Sequence, residues 1–506
     1  MPRHYRDRVT GSPLPILMSR SLRIAALTAA LPLAATAQPY LPSAPPETCE
    51  ASSGDAGSLL DRAADAVGLD RGGVLHAHAA DVTLQPHQSD RPYPPYFPLV
   101  QSVEMWFDPS TGVERAEGSA VFPGSGPAPR PTTLRDAGRL QMEWGGTLRS
   151  VDPAAGPARE LNAWAVLRDW RAARDAVVVA ECTYRDFPRV VLERTTERGP
   201  ERLYLDPESA LPVKLDREEA HAATRSIWGA THVEFLYQTW IAVGDRSVPA
   251  ASFRVVDGLV ATSRTVGAVE VVGRDAAPEL ALGDDTPLPP SPFDVAPDTV
   301  RVADGVYLLA TPMYTGAVAL AGDTVVVFDA TTSGARAADD RAWVERLFPG
   351  DHPAVVLVTD LAWPHVGGVR EWVAGGAAVV SHRVSEPFLR GLVDRRWTRQ
   401  PDRLEALRGE TEFRFVGVEG TAALAGGRVR VATIGGIGSE GALVAYLPEA
   451  GFLWAGDYVQ TVDGPSTYAA EVVAAVRREG WAPRTVAAQH LPLTPWQAVL
   501  DANPSP

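Results

Sequence analysis

Cysteine is nearly absent from this chain, with only Cys49 and Cys182 among 506 residues. A cysteine-ligated zinc or iron–sulfur centre needs several thiolates, so neither is suggested. Positive charge is also short: 47 Lys and Arg against 62 Asp and Glu leave a net charge of −15. That balance argues against a nucleic-acid partner, since phosphate binding needs a basic face. No P-loop and no dinucleotide fingerprint occurs, so no nucleotide cofactor is suggested. Beyond the first forty residues no apolar run reaches the roughly 20 residues needed to span a bilayer. What remains is ordinary globular composition, 45% hydrophobic and 22% charged. At about 100–200 residues per domain, the length suggests two or three domains.

The first forty residues read as targeting rather than fold. Arg20 and Arg23 precede an apolar run over 24–35, closed by the small residues Ala35-Thr36-Ala37. A basic start, a short apolar stretch and a small-x-small site predict a secretory signal over 1–37, with Met18 as an alternative start. The expectation is an exported protein, periplasmic or secreted, with no transmembrane segment once the signal is cut. A disulfide is allowed there, although spacing does not establish that Cys49 and Cys182 pair.

Residues 38–53 are Pro- and Ser-rich and predict an extended segment. From 54 to 274 one amphipathic helix is followed by many short alternating segments, broken by Gly, Pro, Asp and Asn. That pattern predicts a large antiparallel sheet. Residues 275–299 are proline-dense, acidic and aperiodic, the composition of a stiff linker. From 300 to 506 strands alternate with helices: a buried strand over 324–329, a helix over 335–347, a strand over 355–359, a helix over 366–373, and a late helix over 468–477. The class is α+β.

The stretch from Val355 through Thr359, Asp360, Ala362, Trp363, Pro364 and His365 to Gly367-Gly368 is a buried strand, a tight loop with one histidine, and a glycine pair opening a helix. It resembles the metal loop of the metallo-β-lactamase superfamily, Thr-His-x-His-x-Asp-His-x-Gly-Gly. Thr359, His365, Gly367 and Gly368 fit the pattern. Asp360, Ala362 and Pro364 stand where the family has His, His and Asp, and Gly438 stands where it has a further histidine. Asp457, after the apolar Phe452-Leu453-Trp454, matches the family's bridging aspartate, and His490 its final histidine. The resemblance implies a four-layer αββα sandwich over 300–506 and a reduced, mononuclear site for one divalent metal, zinc above others. His365, Asp457 and His490 would be its ligands, joined by Asp360, with Glu440 near the vacated positions. Asp457 and His365 would carry the catalysis, a metal-bound water attacking an ester- or amide-type substrate. Ser439, Glu440 and Trp363 are the binding candidates, and Trp363, Trp454 and Trp496 would bring aromatic surface to the cleft.

Other features are weaker. Ser439 lies in a near miss of the Gly-x-Ser-x-Gly elbow, with Ile437 breaking it. His76 and His78 share one strand face and could chelate, though a plain solvent- or lumen-facing pair is the simpler reading. In 203–240, Leu203-Tyr-Leu-Asp206-Pro and His232-Val-Glu-Phe-Leu-Tyr237 resemble outer-membrane lipoprotein carriers. That resemblance implies an antiparallel β half-barrel around an apolar cavity. Two functions follow: an exported metal-dependent hydrolase, or a non-catalytic binding protein (a pseudoenzyme) for a lipidic or cell-envelope ligand.

Overall fold

The computed structural model describes residues 47–84, 98–121, 127–144, 146–152, 158–220, 227–287, 295–435 and 441–504. The signal-peptide expectation for 1–37 lies outside these residues, as do Ser439 and Glu440.

Fourteen antiparallel strands between Thr48–Ala51 and Leu259–Val272 form one sheet, with Thr48–Ala51 at one edge and Thr147–Val151 at the other. Among the described residues the two edges do not pair, so this is an open sheet and no closed barrel is shown. One face is covered by helices Ala56–Val67 and Ala163–Ala173. Asp55 caps the first helix through the Ser58 amide, and Asn162 caps the second through the amides of Trp164 and Ala165. Trp164, Leu167 and Trp170 of the second helix are fully buried against the sheet's Leu203, Leu215 and Phe235. On this face the helix side chains and the sheet form one packed core. This helix escaped the sequence reading, which placed only strands and turns after Val67.

The edge strand Thr48–Ala51 pairs with Val177–Tyr184, and its Cys49 lies directly opposite Cys182. The two cysteines form a disulfide across 133 residues of sequence. The chain's single lysine, Lys214, is buried on the helix-free side beside Glu47, Asp216 and Glu234, with its ammonium over the Tyr204 ring. Those carboxylates offset the cost of burying the charge. Part of the expected linker is docked: Gln141 donates to the carbonyls of Gly283 and Asp284, and Ser150 to that of Thr286.

From Asp298 onward there are two further sheets. Seven strands run from Asp298–Ala303 to Phe415–Val418, and six from Thr421–Leu424 to Thr494–Pro495. Their inner faces meet in one core where Val326, Phe328 and Leu357 of the first pack with Val431, Leu443 and Trp454 of the second. The outer face of the first sheet is covered by Gly334–Leu347, Val369–Ala374 and Glu386–Asp394. That of the second is covered by Thr467–Arg478 and Trp496–Ala502. The order is helix, sheet, sheet, helix, the αββα architecture that the resemblance implies.

The large sheet reaches this sandwich through Ile227, which joins the core under its first sheet, and through Trp228, edge-on to Phe388 at 5.4 Å. Arg395 adds hydrogen bonds to the carbonyls of Trp228 and Ala230 and an ion pair to Asp257.

Candidate functional site

The site is built where three strand ends of the sandwich meet. Thr324–Phe328 is a buried apolar strand that ends on Asp329, itself in the left-handed region at φ 66°. The Asp329 carboxylate is buried and accepts from the Thr359 amide at 2.8 Å, the Thr359 hydroxyl, and the Trp454 indole at 2.9 Å. Thr359 follows the strand Ala354–Leu357. The next residues turn through Asp360, whose Oδ1 accepts the Ala362 amide at 2.7 Å, into the short helix Trp363–Val366 with Pro364 in its first turn.

Glycine is required twice here by close approach. A Cβ on Gly367 would lie 2.0 Å from the Thr332 carbonyl oxygen, and one on Gly368 would lie 2.5 Å from Ala337. The helix thus lies against the loop 330–332, where Ala330 and Thr332 donate to the carbonyls of His365 and Pro364. The expected helix over 366–373 is accordingly split, ending at Val366 and restarting at Val369–Ala374.

His365 is wholly buried. Its Nδ1 stands 3.1 Å from Asp329 Oδ2 and its Nε2 3.5 Å from Asp360 Oδ2. Burial alone would push the imidazole's pKa down, but Asp360 and Asp329 hold its proton and raise it to about 10. Asp360 is pushed up to about 6 by burial, against the pull of His365 and with Asp457 adding to the push. At neutral pH the centre of the site is an imidazolium held between carboxylates.

Asp457 follows Phe452–Trp454 and Gly456, a left-handed glycine whose missing Cβ admits Thr359 Oγ1. Its pKa is raised, chiefly by burial. Asp457 Oδ2 accepts from Gln460, while the buried Oδ1 has no hydrogen-bond partner and faces His490 Nε2 at 3.6 Å. His490 donates from Nδ1 to the Met313 carbonyl at 3.1 Å and rests on the Tyr314 ring. Between them Gln489 donates to the Pro364 carbonyl at 2.9 Å.

The expected residues therefore come together as two pairs, His365 with Asp360 and Asp457 with His490. A catalytic zinc takes three protein ligands at about 2.0–2.2 Å, which sets ligand atoms roughly 3.4 Å apart. Each pair has that spacing. Among the described residues, however, no three of these donors lie within 4.8 Å of one another, whereas His76, His78 and Glu104 do. As arranged, His365, Asp457, His490 and Asp360 do not fit a three-ligand ion.

Trp363 is buried and meets Tyr314 edge to face at 5.5 Å, and Trp454 is buried beneath Asp329. Both rings serve the core, a correction to the expected aromatic cleft. Trp496 likewise packs in the core of the second sheet. Sequence reasoning missed Asp329 and Gln489. A carboxylate directly after the four apolar residues Val325–Phe328 was the available sign for the first.

No family model matches the chain, and no curated protein does. Solved structures similar to it include metallo-β-lactamases from Erythrobacter litoralis (17% identity, 40% of this chain, 94% of that one, TM-score 0.32) and Hirschia baltica (14%, 41%, 96%, 0.32). FIM-1 from Pseudomonas aeruginosa in its mono-zinc form is a third (14%, 41%, 92%, 0.32). Likeness at this level carries no conclusion about activity. The αββα assignment stands on sheet order and core packing.

Proposed function

We propose that the chain is an exported binding protein for an acid-bearing amphiphile, a lipidic or cell-envelope molecule, and that its αββα half has the architecture of a hydrolase without a three-ligand metal site. One observation carries this reading. The large sheet has an open cleft of about 420 Å³, lined by Tyr184, Phe187, Leu236 and Trp240 together with Arg185, Arg189, Asp206 and Gln238, and none of its walls comes from the His365 site. Arg189 pairs with Asp206 at 2.9 Å and lies over the Phe187 ring, and Arg185 lies over the Tyr184 ring. Aromatic and aliphatic walls beside the Arg185 guanidinium, with Arg189 held by Asp206 next to it, suit an aliphatic chain with a carboxylate or phosphate head. The Cys49–Cys182 disulfide supports an oxidising, extracytoplasmic compartment.

Fluorescence titration of the purified mature chain with dansyl-undecanoate tests this. Arg185→Glu and Phe187→Ser, both at exposed positions, should each weaken binding at least tenfold. A wild type that does not bind, or variants that bind equally well, would sink the proposal.

A second reading, a metal-dependent hydrolase of esters or amides, is favoured by the unpartnered Asp457 Oδ1 facing His490. It predicts zinc-dependent cleavage of p-nitrophenyl esters that His490→Ala abolishes. The binding proposal expects no such cleavage.

A further inference from the structure

Strands Leu259–Val272, Val74–Leu84 and Pro98–Phe107 lie side by side in the large sheet. Their register puts Glu270, His76 and Trp106 in one row and His78 opposite Glu104 in the next. Positions two apart on a strand share a face, so all five side chains stand together. The face is the one without helices, since Leu75, Phe107 and the intervening Ala77 point the other way, two of them into the helix-covered core.

His76 Nε2 is 2.9 Å from Glu104 Oε1, and His78 Nε2 is 3.7 Å from the same oxygen. One ligand atom from each of His76, His78 and Glu104 lies within 4.8 Å of the others. The separations of 2.9 and 3.7 Å straddle the roughly 3.4 Å edge of a tetrahedral zinc site, so side-chain rotation on the open face would bring the three donors onto one ion. The far side of His76 is also prepared. Its Nδ1 is 3.0 Å from Glu270 Oε1, and its ring stacks on Trp106 at 5.0 Å and 3°. A carboxylate that accepts a hydrogen bond from Nδ1–H fixes the tautomer whose Nε2 lone pair can face the ion, the support that metal-bound histidines ordinarily have. Trp106 holds the plane of the ring. His78, 57% exposed, leaves one side open to solvent.

We infer that His76, His78 and Glu104 bind one zinc ion, or another divalent ion favouring imidazole, with Glu270 and Trp106 positioning His76 and with water completing the coordination. Two imidazoles and one carboxylate select zinc, copper or nickel over calcium and magnesium, which prefer all-oxygen sets. The ion would tie two neighbouring strands in the middle of the large sheet. The site is independent of the proposed ligand cavity and of the His365 cluster.

The test is calorimetric titration of the EDTA-stripped mature chain with Zn²⁺, repeated with Co²⁺ to read the visible absorption of nitrogen and oxygen ligation. Wild type should take one equivalent, and zinc should raise its Tm. His78→Ala should abolish both effects while circular dichroism shows the chain folded. Glu270→Gln, which leaves all three ligands in place, should weaken binding about 10–100-fold. His490→Ala should bind as wild type does. Absence of zinc uptake by wild type, or uptake that survives His78→Ala, overturns the inference. Uptake lost in His490→Ala and kept in His78→Ala overturns it too, and moves the ion to the sandwich, which would revive the hydrolase reading. Failure of dansyl-undecanoate binding would leave these titrations unaffected, so the two proposals fail separately.

Discussion

Among the described residues, two clusters of histidine and carboxylate differ in where they stand, one enclosed and one on an open sheet face. His365 is buried at the junction of three strand ends, with Asp329 on one nitrogen and Asp360 near the other. Its carboxylates hold a proton on the ring, and the cation of that cluster is the imidazolium itself. His76 and His78 stand on an open sheet face, where Glu104 is shared and Glu270 takes only the far nitrogen of His76. There both His76 nitrogens also meet carboxylates, and it is the 57% exposed His78 that leaves the cluster open to an ion from solvent. The loop that resembles the metallo-β-lactamase motif thus marks a buried, tightly packed cluster, while an unremarkable pair in an alternating strand carries the three donors proposed here as a metal site. Resemblance of sequence locates a place in a fold; the donor geometry decides what that place can hold.

The largest expected difference between the clusters is structural. Asp329 accepts from Thr359, Trp454 and His365 at once, fastening three strands and the His365 helix. Asp329→Ala strands a buried imidazolium and an indole N–H. It should cost about 3–5 kcal/mol, the usual penalty for breaking a buried pair. Urea denaturation followed by tryptophan fluorescence reads this directly. A loss below about 1 kcal/mol would mean that the site is pliable and that the two clusters do not differ in kind.

The pH dependence sharpens the same contrast. The folded-state pKa of His365, raised to about 10, lies above its ordinary 6.5. The stabilisation from its charged form is therefore fully present below about 6.5 and is lost as pH rises towards 10. Asp360, raised from 3.8 to about 6, contributes below that range and is already ionised across the alkaline window. Unfolding free energy should fall by a few kcal/mol, order of magnitude, between pH 7 and 9.5. In His365→Gln the curve should flatten there. An equally steep curve in the variant would assign the loss to other groups.

Much of the sandwich was legible because its strands are continuous apolar runs and its helices are amphipathic. The helix expected over 335–347 is Gly334–Leu347, and that over 468–477 is Thr467–Arg478. The site was legible as a set of positions and illegible as a geometry. Asp457 and His490 lie just past two strand ends, and His365 lies in the short helix Trp363–Val366 that follows a third. Nothing in their spacing shows that His365 would turn to Asp329, a residue 36 positions earlier. The helix Ala163–Ala173 was missed because Trp164, Leu167 and Trp170 are carried among alanines and arginines, where their period of three is easily read as an irregular loop. The register joining His76 to Glu270 spans 194 residues, a separation at which local pattern is silent.

The smallest expected effect is the most discriminating. His78 is 57% exposed, and its one ion-pair contact, Glu104 at 3.7 Å, is a surface interaction. Such pairs contribute about 0–1 kcal/mol. In metal-free buffer His78→Ala should therefore change stability by less than about 0.5 kcal/mol, as surface substitutions ordinarily do. Adding zinc should separate the proteins, because an ion that binds only the folded wild type stabilises it by mass action. A variant already destabilised by more than about 2 kcal/mol without metal would show that the sheet face is packed as tightly as the His365 cluster, and the contrast would collapse. A variant equal to wild type without zinc and lower with it assigns the difference to the ion alone, which is what an open, prepared site requires.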